Sequence, residues 1–164
     1  MFYRLAEERD IDEIYSLIKD AICNMENHHI FQWDTWYPTK ADFLSDIRKR
    51  QLIVGILNCN IAVVYVINQE CDKAYQNGKW KYPDCEYRII HRLCVNPVYQ
   101  NQGIGTQTLS HIERELRKSG IEAVRLDVFS NNPFALSLYS NNGYKKVGYA
   151  DWRKGRFYLM EKLL

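Results

Sequence analysis

"VNPVYQNQGIGTQTL", Val95–Leu109, is the stretch on which the reading of this chain turns. Gly103 and Gly105 stand one residue apart, directly before a run with helical periodicity. Helix N-termini leave backbone N–H groups unpaired and carry partial positive charge. Glycine at such a place lets a ligand approach the backbone closely, and a phosphate group is the natural guest. Taken alone, the pattern suits an ordinary turn into a capped helix equally well.

Two familiar phosphate motifs fit poorly. A P-loop requires lysine followed by serine or threonine after its second glycine, and none follows here. A dinucleotide fingerprint requires a third glycine where Thr108 stands. The segment "NPVYQNQ" also separates the preceding strand from the glycines, so the tight strand-to-helix turn is missing. Asp127 lies further on, but in the middle of a strand pattern.

Working outward, "YRIIHRLCVN" before the stretch reads as a strand, and the helix after it runs to about Lys118, with Leu109, Ile112 and Leu116 on one stripe and Gly120 past its end. "EAVRLDVF" alternates, with Val124, Leu126 and Val128 on one face and Arg125 and Asp127 on the other. "NNPFALSLYSNNGY" is a helix with Asn132 as cap, Pro133 in the first turn and Gly143 beyond its end. "YKKVGY" and "RFYLMEKL" are closing strands. Toward the N-terminus, "FYRLA" is a first strand, and Asp10 is placed to cap a helix whose Ile11, Ile14, Leu17, Ile18 and Ile22 recur at helical spacing. Thr39 caps a second helix with Phe43, Leu44 and Ile47 inward. "QLIVGIL" and "NIAVVYVIN" form a hairpin about "NCN". "QECDKAYQNGKWKYPDCEY" is a polar connection. The order is β-α-α-β-β-β-α-β-α-β-β, which points to one α/β layer structure with a mixed central sheet flanked by helices.

The 164 residues favour a single domain spanning 1–164. With 46% hydrophobic and 13% aromatic residues, an ordered core is expected. The 22 basic and 20 acidic residues leave a net charge of +2, so there is no bulk electrostatic case for nucleic acid or a membrane surface. Arg48–Arg50 reads as a solvated helix end, and Arg153, Lys154 and Arg156 as a charged hairpin loop. The five cysteines are odd in number and form no C-x-x-C, which argues against a zinc site or a disulfide framework. The N-terminus lacks a signal-peptide core, and no apolar run approaches the ~20 residues of a membrane span. A cytoplasmic protein is expected, with no metal.

Two motifs then converge. "VNPVYQNQGIGTQTL" resembles motif A of the GCN5-related N-acetyltransferases, whose pattern Q/R-x-x-G-x-G/A is carried here by Gln100, Gly103 and Gly105 after Val95 and Pro97. "LDVFSNNPFALSLYSNNGYKKVGY" is similar to the family's later strand-helix-strand segment, with Asn132, Ala135, Tyr139, Gly143 and Tyr144 in the matching places. The resemblance covers Tyr87 to Tyr149, and the N-terminal part agrees in element order.

The resemblance implies the family's mostly antiparallel sheet and an acyltransferase (EC 2.3.1.-) that moves an acetyl group from acetyl-CoA to a primary amine by direct attack in a ternary complex. The alternative is a non-catalytic CoA-binding or regulatory module on the same fold. It further implies that Gln100, Asn101, Gln102, Gly103, Ile104, Gly105 and Thr106 cradle the CoA pyrophosphate, that the Leu93, Cys94 and Val95 backbone pairs with the pantetheine arm, and that Asn132 and Ala135 lie beside it. Asn132 is also an ordinary helix cap. Tyr139, seven residues on and so on the same helix face, is implied as the general acid for the leaving thiolate. His91, placed by the period of two on the face of Leu93 and Val95, is the first choice for general base, with Glu86 second. Cys94 lacks an activating pair and is expected to pack. Trp33, Trp36 and Tyr37 either line the acceptor pocket or form an apolar plug. Small-molecule amines, peptides and protein amines all stay open as acceptors, as does a homodimer.

Overall fold

The structure, a computed structural model, describes residues 1–164. Its elements follow the expected order: β1 (Phe2–Leu5), α1 (Ile11–Asn27), α2 (Lys40–Arg48), β2 (Leu52–Leu57), β3 (Asn60–Asn68), β4 (Tyr87–Val95), α3 (Ile104–Lys118), β5 (Ala123–Phe129), α4 (Pro133–Asn141), β6 (Lys145–Trp152) and β7 (Gly155–Leu163). The seven strands form a mixed, mostly antiparallel sheet in the order β1-β2-β3-β4-β5-β7-β6, with helices flanking it. β4 and β5 pair in parallel, from Tyr87 opposite Ala123 to Ile90 opposite Leu126. No helix is long and apolar enough to cross a membrane.

The chain divides into two compact units: residues 1–67 with 92–108, and residues 68–91 with 109–164. In the first, α1 and α2 lay Ile14, Leu17, Ile18, Phe43 and Ile47 against Leu52, Val54, Val64 and Val66 of the β2–β3 hairpin. The hairpin turns at Asn58 and Cys59, both left-handed at φ 50° and 65°. Two consecutive left-handed residues make the mirror-image turn whose twist matches paired strands. Thr39 caps α2 as expected: its side chain accepts from the Asp42 amide, and Asp42 accepts from the Thr39 amide in return. Such a cap contributes about 1 kcal/mol.

Asp10 does not cap α1, as its side chain makes no bond to that helix's first amides. A short 3₁₀ turn, Glu8–Asp10, precedes the helix. The carboxylate is taken instead by the Arg4 guanidinium, at 2.6 and 2.9 Å, and by the Glu7 amide at 2.8 Å. The bond from Arg4 is the main reason the Asp10 pKa lies below its ordinary value. A depressed carboxylate stabilises the fold above its unfolded pKa and loses that contribution as the pH falls through the folded value. Asp10→Asn should therefore lower the melting temperature at pH 7, and the gap to the parent should close below the ordinary value of 3.8. A gap that persists unchanged at pH 2.5 would remove the ion pair as its cause.

In the second unit the polar connection between β3 and β4 covers one face of the sheet. Tyr75 and Trp80 stack at 5.7 Å and pack with Ile89, Val147, Ala150 and Leu159. Arg125 and Asp127 point toward this cover and not to solvent. The Arg125 guanidinium lies 4.4 Å over Trp80 and 3.8 Å over Tyr87, and bonds Glu161 at 3.1 Å and the Tyr82 carbonyl at 3.0 Å. Glu161 also accepts from the Lys81 amide at 2.8 Å. With both charges this deeply buried, losing either partner would strand the other at a cost of about 3–5 kcal/mol.

Candidate active site

In the first unit β4 ends at Val95, and Asn96 caps a 3₁₀ turn, Pro97–Tyr99. Asn101 and Gly103 are then left-handed, at φ 60° and 77°, and α3 opens at Ile104. The two reversals swing the chain from strand end to helix start. The Gln107 amide bonds the Gly103 carbonyl at 2.9 Å. The amides of Ile104 and Gly105 precede that bond and have no helical carbonyl four residues back. Asn101, Gln102, Gly103 and Thr106 are exposed, Gly105 is half-buried and Ile104 is buried. A Cβ built on Gly103 would meet nothing within 4 Å, so the backbone here lies open.

The side chain of Gln100 faces inward. Its oxygen accepts from Asn24 of α1 at 3.0 Å, and its nitrogen donates to the Val95 carbonyl at 3.1 Å. Gln100 thus ties the loop to α1 and to the end of β4. Gln102 braces the loop by donating to the Val98 carbonyl at 3.1 Å. Thr108, standing where a dinucleotide fingerprint needs glycine, is fully buried and bonds the Tyr3 hydroxyl at 3.1 Å. Leu93 and Val95 are half-buried. The Cys94 thiol is buried in the apolar core, which pushes its pKa up to about 12 and leaves it no thiolate to offer as a nucleophile.

The α1–α2 connection belongs to the same unit. Trp33 is in the core, whereas Trp36 is 81% exposed and Tyr37 is 42% exposed. Asp34 organises this turn: its carboxylate accepts from the Trp36 amide at 2.9 Å and the Tyr37 amide at 3.1 Å, and its own amide donates to the Tyr37 carbonyl at 3.0 Å. The three aromatic residues therefore part company, one plugging the helices and two standing outward.

The second unit holds the residues expected to handle protons. Asn132 caps α4 by accepting from the Ala135 amide at 3.0 Å. Ala135 is half-buried. Tyr139 is buried, and its ring meets Tyr144 edge-on at 5.7 Å. Glu86 is largely exposed, and its carbonyl accepts from the Glu122 and Ala123 amides at the start of β5. Tyr139 lies on the helix after the far end of β5. At ~3.3 Å per residue, the seven-residue strand puts roughly 20 Å between those ends. Glu86 therefore stands at the start of β5, and α4, which carries Tyr139, follows the other end of that strand. His91 follows the last parallel pair, Ile90–Leu126, and the next residue along β5 is Asp127. The Asp127 carboxylate accepts from the buried Tyr75 hydroxyl at 2.7 Å. Burial and the adjacent Asp127 raise the Tyr75 pKa well above its ordinary value, and Tyr139 adds to the effect.

One expectation about β4 needs correction. Arg92 is left-handed at φ 49°, which interrupts the two-residue alternation. His91 cannot be assigned to the face of Leu93 and Val95 by counting through it. Sequence reasoning gave no role to Arg92 or Asp46, and placed Asp127 only as a mid-strand residue. A second arginine, well inside the strand pattern "RIIHRLCV", was the signal available for Arg92.

The sequence model described as the "Acetyltransferase (GNAT) family" matches residues 9–144. The [Ribosomal protein bS18]-alanine N-acetyltransferase of Escherichia coli K12 is 35% identical over 58 residues, 35% of this chain and 39% of that protein. The N-alpha-acetyltransferase RimI of Mycobacterium tuberculosis is 36% identical over 66 residues, 40% of this chain and 39% of that protein. The chain thus spans about two-fifths of the length of these curated relatives. Among solved structures, a GNAT-family acetyltransferase from Streptococcus agalactiae superposes with a TM-score of 0.85 at 21% identity, covering 99% of this chain and 95% of that one. The PaiA N-acetyltransferase of Thermoplasma acidophilum, solved with coenzyme A, gives 0.73 at 18% identity, covering 99% and 98%. The fold and the match to the family model lead to one conclusion: this chain belongs to the GNAT family of acetyltransferases.

Proposed function

We propose that the chain acts as one acetyltransferase domain, transferring the acetyl group of acetyl-CoA to the primary amine of a peptide or protein. The observation that carries this reading is the loop Gln100–Thr106, whose reversals at Asn101 and Gly103 leave exposed backbone at the start of α3. Backbone amides at such a place donate to phosphate oxygens without a lysine. The relatives named for acetylating protein alanine favour an α-amine over a small diffusible amine.

In the proposed reaction the loop holds the pyrophosphate, and the Leu93–Val95 backbone pairs with the pantetheine arm. The acceptor amine, once deprotonated, attacks the thioester carbonyl carbon. The C–N bond forms, the C–S bond breaks, and the thiolate takes the Tyr139 hydroxyl proton. His91 takes the first proton of the ammonium before attack, directly or through water, and the second, lost from nitrogen as the amide forms, restores the Tyr139 hydroxyl. His91 is preferred over Glu86 because it lies at the end of the β4–β5 ladder, whereas Glu86 lies at its start.

His91→Ala should flatten the rise of kcat/KM with pH while leaving acetyl-CoA binding intact. A pH profile identical to the parent's would take His91 out of the mechanism. The function itself is tested by incubating the protein with acetyl-CoA and a panel of free N-terminal peptides and small amines, with detection by mass spectrometry. Binding of acetyl-CoA without acetylation of any amine would favour a non-catalytic CoA module.

A further inference from the structure

Arg92 lies inside β4, between His91 and the apolar Leu93–Val95, and it takes a backbone conformation that residues with a Cβ seldom adopt. Its side chain is 14% exposed and pairs with Asp46 of α2, itself 9% exposed. One terminal nitrogen makes a short bond to the Asp46 carboxylate, and the other donates to the Tyr37 hydroxyl at 2.8 Å. The guanidinium lies 5.9 Å from the ring centres of both Tyr37 and Phe43. Burial is the leading influence on Asp46 and pushes its carboxyl upward against the pull of Arg92.

Such an arrangement is costly, because two charges have left water and a left-handed residue sits inside a strand. Core stability alone would be served as well by an apolar side chain. What the arginine does that an apolar residue cannot is span three elements: β4, α2 and the α1–α2 connection. It reaches that connection at Tyr37, the last residue of the turn that Asp34 closes with three hydrogen bonds. The turn is therefore held at both ends, and it displays Trp36 at 81% exposure on its tip. Rigid display of a large aromatic lowers the ordering cost of binding whatever lands on it.

We infer that Arg92 is a positioning residue for the acceptor: through the Tyr37 hydroxyl it fixes the Asp34–Tyr37 turn, so that Trp36 and Tyr37 receive the segment carrying the amine. The inference rests on the acetyltransfer reading and deepens it. β4 carries both the backbone proposed for pantetheine, Leu93–Val95, and the clamp, Arg92. The acceptor-binding turn is thereby indexed to the strand that would present the acetyl group.

Two measurements test it. The first needs no substrate. In Tyr37→Phe the ring stays and only the bond from Arg92 is lost. The backbone amides at positions 36 and 37 should then exchange with solvent roughly 2- to 10-fold faster, the size expected from one lost hydrogen bond. Unchanged exchange would overturn the clamp. Arg92→Gly suits the left-handed backbone and removes the guanidinium, and Arg92→Lys keeps the charge without the two-pronged reach. Where the glycine variant fails to fold, Tyr37→Phe and Arg92→Lys decide the matter. The second measurement uses acetyl-CoA with two probes, a decapeptide bearing a free N-terminal alanine and spermidine. With whichever probe the parent acetylates, Tyr37→Phe should raise the acceptor KM roughly 2- to 10-fold, with kcat and the acetyl-CoA KM within about twofold. An unchanged acceptor KM, or a parallel rise in the acetyl-CoA KM, would overturn the positioning role. A parent inert toward both probes counts against the acetyltransfer reading and removes the acceptor role with it, even if the exchange result stands.

Discussion

Tyr139→Phe should lower kcat roughly 10²-fold or more while leaving the acetyl-CoA KM within about twofold, the size expected when a positioned general acid is lost. The geometry makes this substitution interpretable. The Tyr139 ring is buried and packs edge-on against Tyr144 at 5.7 Å. Its carbonyl accepts from the Asn142 and Tyr144 amides at 3.1 Å each, closing the end of α4. Phenylalanine keeps the ring and these backbone bonds and removes only the hydroxyl. A tyrosine with a purely packing role would show a shift in melting temperature and unchanged turnover. Steady-state kinetics beside a thermal melt separates the two, and unchanged turnover refutes the acid.

Gly103→Val should weaken CoA binding about 100-fold or more, measured by calorimetry. Two effects contribute, and a second glycine separates them. Gly103 has φ 77°, and its surroundings are empty out to 4 Å. The Cβ of a valine there meets no protein atom within 4 Å, but the residue strains the backbone and projects into the space proposed for the pyrophosphate. Gly120, past the end of α3, has φ 76° and the same empty surroundings. Gly120→Val thus imposes comparable backbone strain, on the order of 1–2 kcal/mol, away from the loop. Both variants should lose similar stability, and only Gly103→Val should lose CoA. Equal CoA affinity in the two would sink the assignment of the loop.

The order of the eleven helices and strands was legible in the sequence, because it rests on local signals. Helical spacing marks α1 and α3, and apolar alternation marks β5. Thr39 and Asn132 mark helix starts by chemistry that acts within three residues. The GNAT match could be read for the same reason, since both of its motifs are short and continuous in sequence.

Side-chain destinations were legible only where local chemistry decided them. Asp10 stands where a cap belongs, yet Arg4 takes its carboxylate first. Trp33, Trp36 and Tyr37 are near neighbours in sequence, but one lies in the core and two face outward, because the Asp34 turn reverses the chain between them. Arg125 and Asp127 alternate as solvent-facing residues would. They are covered because a polar connection about fifty residues earlier folds over them through Tyr75 and Trp80.

The sequence by itself determined the element order, the helix caps at Thr39 and Asn132 and the glycine-bearing approach to α3, since each depends on residues within about one turn of one another. Only the tertiary structure decided that β4 turns left-handed at Arg92 and that Arg92 pairs with Asp46 and Tyr37. Those outcomes depend on desolvation and on partners 46 and 55 residues away, which no local pattern encodes.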